Sequence, residues 1–320
     1  MHESTKQRTS MSSSQQRMMA LLNRLAPSEG ATLSALDGVK FMRVNRPVPR
    51  TPVLYEPCIV IVCSGRKRGY LGGQSYVYDA QQFLVMSVPL PFEGETEVAT
   101  EAEPMLAVSI RIDLQMAAEL MLAVEQSGTA IAAEPKGIIS TPMEPKLCDA
   151  VLRLLEALTS PLETQLLAPS VMREILYRVL TGVQGGSLRA ALAHQSHFGK
   201  IGKALRRIHA DVSSQIDVAT LAGEAGMSVA AFHANFKAVT QTSPIQYLKS
   251  TRLHKARLLM VQDGLSAATA SARVGYESSS QFSREFKRFF GRTPADEARE
   301  MRTLLSQVPA ERGAPYITVQ

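Results

Sequence analysis

Residues 226–244 read GMSVAAFHANFKAVTQTSP, and residues 275–294 read GYESSSQFSREFKRFFGRTP. These are one pattern written twice. From Phe232 to Phe282, Phe236 to Phe286, Lys237 to Lys287 and Pro244 to Pro294 the offset is a constant 50 residues; from Gly226 to Gly275 it is 49, so the second copy carries one extra residue in its turn. Each copy reads as helix, glycine-containing turn, helix, the local form of a helix-turn-helix. In the first copy Asp217 to Glu224 forms the supporting helix, Gly226 makes the turn, and Ser228 is placed to cap the second helix. On a helical wheel Phe232, Phe236 and Val239 point inward, opposite Ala230, His233, Ala234 and Lys237. In the second copy Phe282, Phe286 and Phe289 point inward, with Ser280, Gln281, Arg284, Lys287 and Arg288 outward or on the flanks. Such a face suits a major groove, where Arg donates two hydrogen bonds to guanine and Gln pairs with adenine. Lys237, Lys287 and Arg288 suit phosphates, which position a protein without reading sequence.

The segment between the copies carries its own signal. Ser243 as N-cap, Pro244 at the first helical position and Gln246 two further on announce a helix that runs to about Gln262 and stops at Gly264. From Ile245 to Val261 such a helix is about 25 Å long. Neighbouring major-groove faces lie about 34 Å apart, so this bar can hold two recognition helices roughly one helical turn apart. Thr293-Pro294 repeats the start signal for a last helix.

Charge supports the same assignment. Lys200 to Arg302 holds 16 Lys and Arg against 9 Asp and Glu, a balance of +7, whereas the whole chain of 320 residues is +6. The basicity belongs to the repeat-bearing segment, the footprint of nucleic-acid contact by one part of the molecule. A chain of this length favours two domains, each with its own core. No apolar run is long enough to span a bilayer. The Ser-, Thr- and Gln-rich start, Met1 to Gln16, lacks the apolar core of a signal peptide and reads as part of a flexible tail (residues 1–24). Three Cys at irregular spacing argue against a disulfide framework and fit a reducing cytoplasm.

Upstream, Leu33 to about Ile112 has β texture: Val39 to Val44, Cys58 to Cys63, Gln82 to Val88 and Leu106 to Ile112 are short apolar runs between Pro and Gly turns. Gly72-Gly73 reads as a hairpin turn. Many short strands at this spacing imply a sandwich or barrel. After Ile112 the period turns helical, with stripes at Leu114 to Leu122, Leu147 to Leu158 and Leu166 to Leu180. These can cover the barrel or pair two subunits. Gly182, Gly185 and Gly186 then break the pattern, and residues 182–198 read as a linker. The fold class expected is α+β in two domains: a barrel with flanking helices at residues 25–181, and an all-α domain with two helix-turn-helix units at residues 199–305, followed by a flexible tail at 306–320.

The C-terminal residues closely resemble the DNA-binding domain of the AraC/XylS family of bacterial transcriptional regulators. The likeness runs from about Ile201 to Arg299 and is carried by Leu221-Ala222, Ser243 to Leu248, Arg252-Leu253, Ala256-Arg257 and Gly275-Tyr276-Glu277-Ser278. The N-terminal part resembles the cupin-type domain of one AraC subgroup, through Glu56-Pro57, Gly65, Lys67, Tyr76 to Asp79, and Pro104 with the strand and helix after it. The resemblance implies base-reading positions at Ala230, His233 and Ala234 in the first unit and at Ser280, Gln281 and Arg284 in the second. It also implies promoter DNA and RNA polymerase as partners and a cytoplasmic, homodimeric activator. The chain departs from the family in two ways. In the first reading set only His233 can hydrogen-bond. The second supporting helix has Ala267, Ala270 and Ser271 where the family carries bulkier aliphatics.

Many cupin barrels bind a metal through clustered His and a carboxylate. The six His here are His2, His194, His197, His209, His233 and His254, and none lies between Leu33 and Ile112. A His-based metal centre in the barrel, and the usual cupin enzyme chemistry, are therefore not expected, nor is any other cofactor. The barrel reads instead as a module that senses a small-molecule effector and dimerises, with Arg66, Lys67, Tyr70, Tyr76 and Tyr78 as candidate contacts beside packing and solvated roles for each. Cys58 and Cys63, five apart on one strand, point to opposite faces and read as buried free thiols. His194 and His197 have helical spacing but no partner ligand, and read as solvated. Two other readings stay open: a cupin-type enzyme with an appended DNA-binding domain, and an effector-independent DNA-binding protein.

Overall fold

The computed structural model describes residues 13–126, 136–183, 185–192 and 197–306. The chain opens with α1 (Ser13–Leu25) and continues through β1 (Gly30–Leu33), β2 (Val39–Val44), β3 (Val48–Tyr55), β4 (Cys58–Ser64) and β5 (Arg66–Leu71). Next come β6 (Gln74–Asp79), β7 (Gln82–Met86), β8 (Leu90–Val98), β9 (Met105–Arg111), α2 (Leu114–Gln126) and β10 (Ile138–Pro142). Helices α3 (Pro145–Ala157), α4 (Pro161–Leu166), α5 (Ala168–Thr181) and α6 (Gly185–Leu192) lead to the C-terminal part. That part is α7 (His197–Ala210), α8 (Val218–Glu224), α9 (Val229–Thr240), α10 (Pro244–Val261), α11 (Ala267–Arg273), α12 (Ser279–Phe290) and α13 (Pro294–Ser306). Among the described residues, no helix is long and apolar enough to cross a membrane.

The strands form one antiparallel sheet in the order β1-β2-β9-β4-β7-β6-β5-β8-β3, with β10 added to β7. It curls into a half-barrel. Central strand β4 is buried along its whole length and so reads as an unbroken apolar run. Its alternate side chains serve two cores. Ile59, Ile61 and Cys63 pack outward beneath α1, α2, α3 and α5, while Cys58, Val60 and Val62 face the interior. Cys58 and Cys63 are therefore on opposite faces, and burial raises both thiols to about 12, so both are protonated at neutral pH. At the β5–β6 hairpin Gly72 and Gly73 take φ of +58° and +83°, the pair of positive values that a two-residue turn between twisted strands demands.

The structure corrects two sequence expectations. The flexible tail ends early, because α1 begins at Ser13 and buries Met18 and Leu22 on the sheet's outer core. Met18, Leu21, Leu22 and Leu25 stand at i, i+3, i+4 and i+7, the spacing of an amphipathic helix, and the sheet supplies the partner for that face. The linker also contains structure: α6 buries Leu188 in the same core. Gly185 does not loosen the chain here, since a Cβ at that position would lie 2.0 Å from the Leu180 carbonyl oxygen. It lets α6 start tight against the end of α5. His194 lies outside the described residues, as does the tail beyond Ser306.

Cores do not follow the expected domain boundary. The half-barrel interior (Val60, Leu84, Met86, Leu90, Phe92) is continuous with Ile201, Leu205, Ile208, Phe232, Phe236 and Tyr247 of the first helix-turn-helix unit. The second unit has a separate core of Leu253, Met260, Val274, Phe282 and Phe286.

Candidate nucleic-acid interface

Each helix-turn-helix unit is built the same way. Asp217 caps α8 and Ser228 caps α9, each side chain accepting a backbone N–H, from Thr220 and Ala231. Ser266 caps α11 and Ser278 caps α12 in the same manner, from Thr269 and Gln281. Gly226 and Gly275 turn the chain with φ of +60° and +83°. The inner faces are aromatic: Phe232 and Phe236 lie 5.5 Å apart, Phe282 and Phe286 5.4 Å, and Phe286 and Phe290 4.4 Å between ring centres. Of the small residues on the second supporting helix, Ala270 and Ser271 are both buried, Ala270 in one core with Phe282 and Phe286. Phe289, expected inward, is instead partly exposed, its edge against His254 and Phe290. It stands at the end of the helix, where the wheel has drifted off the core.

On the outer faces Ala230 and Ala234 are exposed and His233 is half-buried, while Ser280, Gln281 and Arg284 are all exposed. Lys237, Lys287 and Arg288 are exposed beside them. Sequence reasoning missed a group within the second face, Glu285. Its carboxylate accepts from Gln281 Nε2 at 3.2 Å, Tyr276 Oη at 2.9 Å and Lys249 Nζ at 3.1 Å. Burial opposes its charge, but the three donors outweigh that and hold its pKa below the usual carboxylate range.

The bar α10 starts as read from sequence, with Ser243 Oγ accepting from the Gln246 N–H and Pro244 in the first turn. It touches α9, α11, α12 and α13, and also β3 and β8 of the half-barrel. Tyr247 is fully buried; its hydroxyl donates to the Pro89 carbonyl at 2.7 Å and lies 2.7 Å from His209 Nε2. With the hydroxyl proton on Pro89, the Tyr247 oxygen accepts from Nε2–H. Burial, with the charge of Lys255, drives the His209 pKa down to about 4. Arg257, also buried, pairs with Glu297 of α13 at 2.5 Å and donates to the Pro52 carbonyl of β3 at 3.2 Å. The two units are tied as well: Arg252 donates to the Val212 and Ser214 carbonyls, at the loop that meets Gly275.

The candidate effector contacts separate by face. Arg66 pairs with Asp79 and the Tyr70 hydroxyl donates to Glu95, both on the outer surface of the sheet rather than in its interior. Lys67 instead lies over the ring of Tyr78, which is fully buried in the interior. Tyr76, on the same face as Tyr78, helps line a groove of about 380 Å³ with Leu71, Gln74, Gly137, Val239 and Gln241. That groove lies between the half-barrel and the end of α9. Among the described residues no group of three or more His, Cys, Asp or Glu converges as a metal site.

A curled antiparallel sheet is thus joined to two capped helix-turn-helix units on one bar. Residues 35–187 match the AraC-type transcriptional regulator N-terminus, and residues 221–300 match a helix-turn-helix domain. The chain is similar to AraC-type transcriptional regulators in its N-terminal part and to helix-turn-helix domains in its C-terminal part. It is 33% identical over 95 residues to the HTH-type transcriptional regulator AlkR of Acinetobacter baylyi, covering 30% of this chain and 31% of that one. It is 27% identical over 157 residues to the HTH-type transcriptional regulator ArgR of Pseudomonas aeruginosa, covering 48% of this chain and 47% of that one. The chain thus spans under half the length of these curated relatives. In structure it is similar to apo ToxT K231A of Vibrio cholerae, with a TM-score of 0.54 at 10% identity over 83% of this chain and 99% of that one. It is similar also to ToxT with an unsaturated fatty acid bound, with a TM-score of 0.51 at 13% identity over 85% of this chain and 96% of that one. At these identities the likeness is one of fold.

Proposed function

We propose that the chain is a sequence-specific transcription regulator that lays α9 and α12 in successive major-groove faces of promoter DNA. The observation that carries this reading is the pair of capped helices on one bar, each with its aromatic face buried and its family reading positions turned outward. Arg284 and Gln281 carry most of the base discrimination. The first head, with Ala230 and Ala234 flanking His233, works by fit and by phosphate contact through Lys237. Lys287 and Arg288 serve phosphates at the second. Arg284→Ala tested against operator variants should lose discrimination worth about 1–3 kcal/mol at one base pair. If overall affinity falls while every base preference stays unchanged, Arg284 is not a base reader.

A small-molecule effector completes the reading. The groove beside Tyr76 and Gln241 is formed by both parts of the molecule, so an occupant there acts on how the half-barrel meets α9. Tyr76, Lys67 and Tyr78 belong to this interior side; Arg66 and Tyr70 do not. A thermal-shift screen of the full chain should find compounds that raise its melting temperature; an effector-independent binder would show none. The protein is read as a cytoplasmic homodimer and a non-enzyme that meets RNA polymerase at the promoter. Exposed Leu162 and Leu166 on α4, Tyr177 on α5 and Leu167 between them support pairing through the helical layer.

A further inference from the structure

Glu285 is an odd residue to find on a helix that meets phosphates. A carboxylate there is repelled by DNA, and an i,i+4 contact with Gln281 adds little to the stability of a helix. Its other partners come from elsewhere in the fold: Tyr276 from the turn before α12 and Lys249 from the bar. Three elements therefore converge on one carboxylate, whose side chain is only 12% exposed. Lys249 offsets its charge.

The consequence falls on Gln281. A glutamine amide has two N–H donors on one side and a carbonyl acceptor on the other, and the two ends differ little in shape. A carboxylate accepts only. With Glu285 Oε1 at 3.2 Å, the amide must turn its nitrogen toward the carboxylate, since the reverse orientation would set oxygen against oxygen. One N–H is spent on the tether. The second N–H and the carbonyl oxygen stay available, the donor and acceptor that adenine N7 and N6 require.

We infer that Glu285 is a positioning residue that fixes the polarity of the Gln281 amide and so sets the base that Gln281 selects. This rests on the reading of α12 as a base-reading helix. Glu285→Gln tests it cleanly. The variant keeps the size and helical preference of the side chain, but its own amide can donate or accept, so Gln281 is free to turn either way. Removing a negative charge near the phosphates should also raise affinity for any DNA. Specificity and affinity then move in opposite directions, whereas a damaged helix would lose both.

The experiment uses the full chain and an operator obtained by in vitro selection from random duplexes. Binding is measured by fluorescence anisotropy on a panel of single base-pair variants, with melting temperatures followed in parallel. Glu285→Gln should cut discrimination roughly five- to tenfold at the one base pair that Gln281→Ala affects. Preferences elsewhere should change less than twofold, non-specific binding should tighten, and the melting temperature should stay near that of the parent. In a Gln281→Ala background, adding Glu285→Gln should change no base preference. The inference is overturned if Glu285→Gln leaves that base pair's discrimination intact, weakens all positions alike, or alters a preference when Gln281 is absent, which would make Glu285 itself a reader. If Gln281→Ala leaves every preference unchanged, the reading of α12 itself fails, and the tether with it.

Discussion

Tyr247 and Arg257, one buried on each half of the same helix, are where the DNA-binding part is fastened to the half-barrel. Tyr247→Phe would strip the Pro89 carbonyl and His209 Nε2 of a partner, and a lost buried hydrogen-bond partner costs about 1–3 kcal/mol. Urea unfolding of the full chain should show that loss. Glu297→Ala should cost more, about 3–5 kcal/mol, because it leaves the Arg257 charge buried without its partner. Two neighbouring imidazoles give the molecule an acid sensitivity. Burial holds His209 at about 4 and His254 at about 3, below the ordinary 6.5. From pH 6.5 downward the unfolded chain takes up protons that the folded chain refuses. Stability is thus full above about pH 6.5 and declines as pH falls through the folded values. Urea midpoints measured from pH 8 to pH 4 should fall toward acid, and His254→Leu should flatten the slope; an equal slope in the variant would remove His254 as its source.

The turns are the elements in which the two copies differ most. Gly226 stands clear, since a Cβ placed there would lie 3.7 Å from Lys200 Nζ, while a Cβ at Gly275 would lie 2.5 Å from the Ser213 carbonyl oxygen. Both need the left-handed backbone, so Gly226→Ala should cost about 1–2 kcal/mol. Gly275→Ala should cost clearly more, because the second unit must also move off the loop it leans on; equal melting-point losses would contradict that contact. Ser278→Ala, removing the cap of α12, should cost about 0.5–2 kcal/mol. These elements were legible in sequence because their signals are local: Ser at the cap, Gly at the turn, Phe at spacing four. Helix α1 carries a periodic signal as well, Met18, Leu21, Leu22 and Leu25 at i, i+3, i+4 and i+7, which the polar residues before it obscure; α6 carries none, since only burial against the sheet gives Leu188 its meaning. The faces of Arg66 and Tyr70 were likewise hidden, because strand register, not strand composition, decides which residues look outward. Glu285 escaped notice because two of its three donors lie outside its own helix.

At the scale of the whole molecule, α9 and α12 sit on a bar that is itself fastened to a half-barrel. Lys287→Ala should lower the slope of log affinity against log salt by about 0.9 while leaving base preferences unchanged. A change in base preference would move Lys287 from phosphate to base contact. The central claim is that α9 and α12 occupy successive major-groove faces. Methylation interference at guanine N7, carried out with the full chain on its selected operator, reads that directly. Two patches of interference are expected on one face of the duplex, separated by about 10–10.5 base pairs. A single patch, or interference spread evenly along the duplex, would contradict that placement of the two helices.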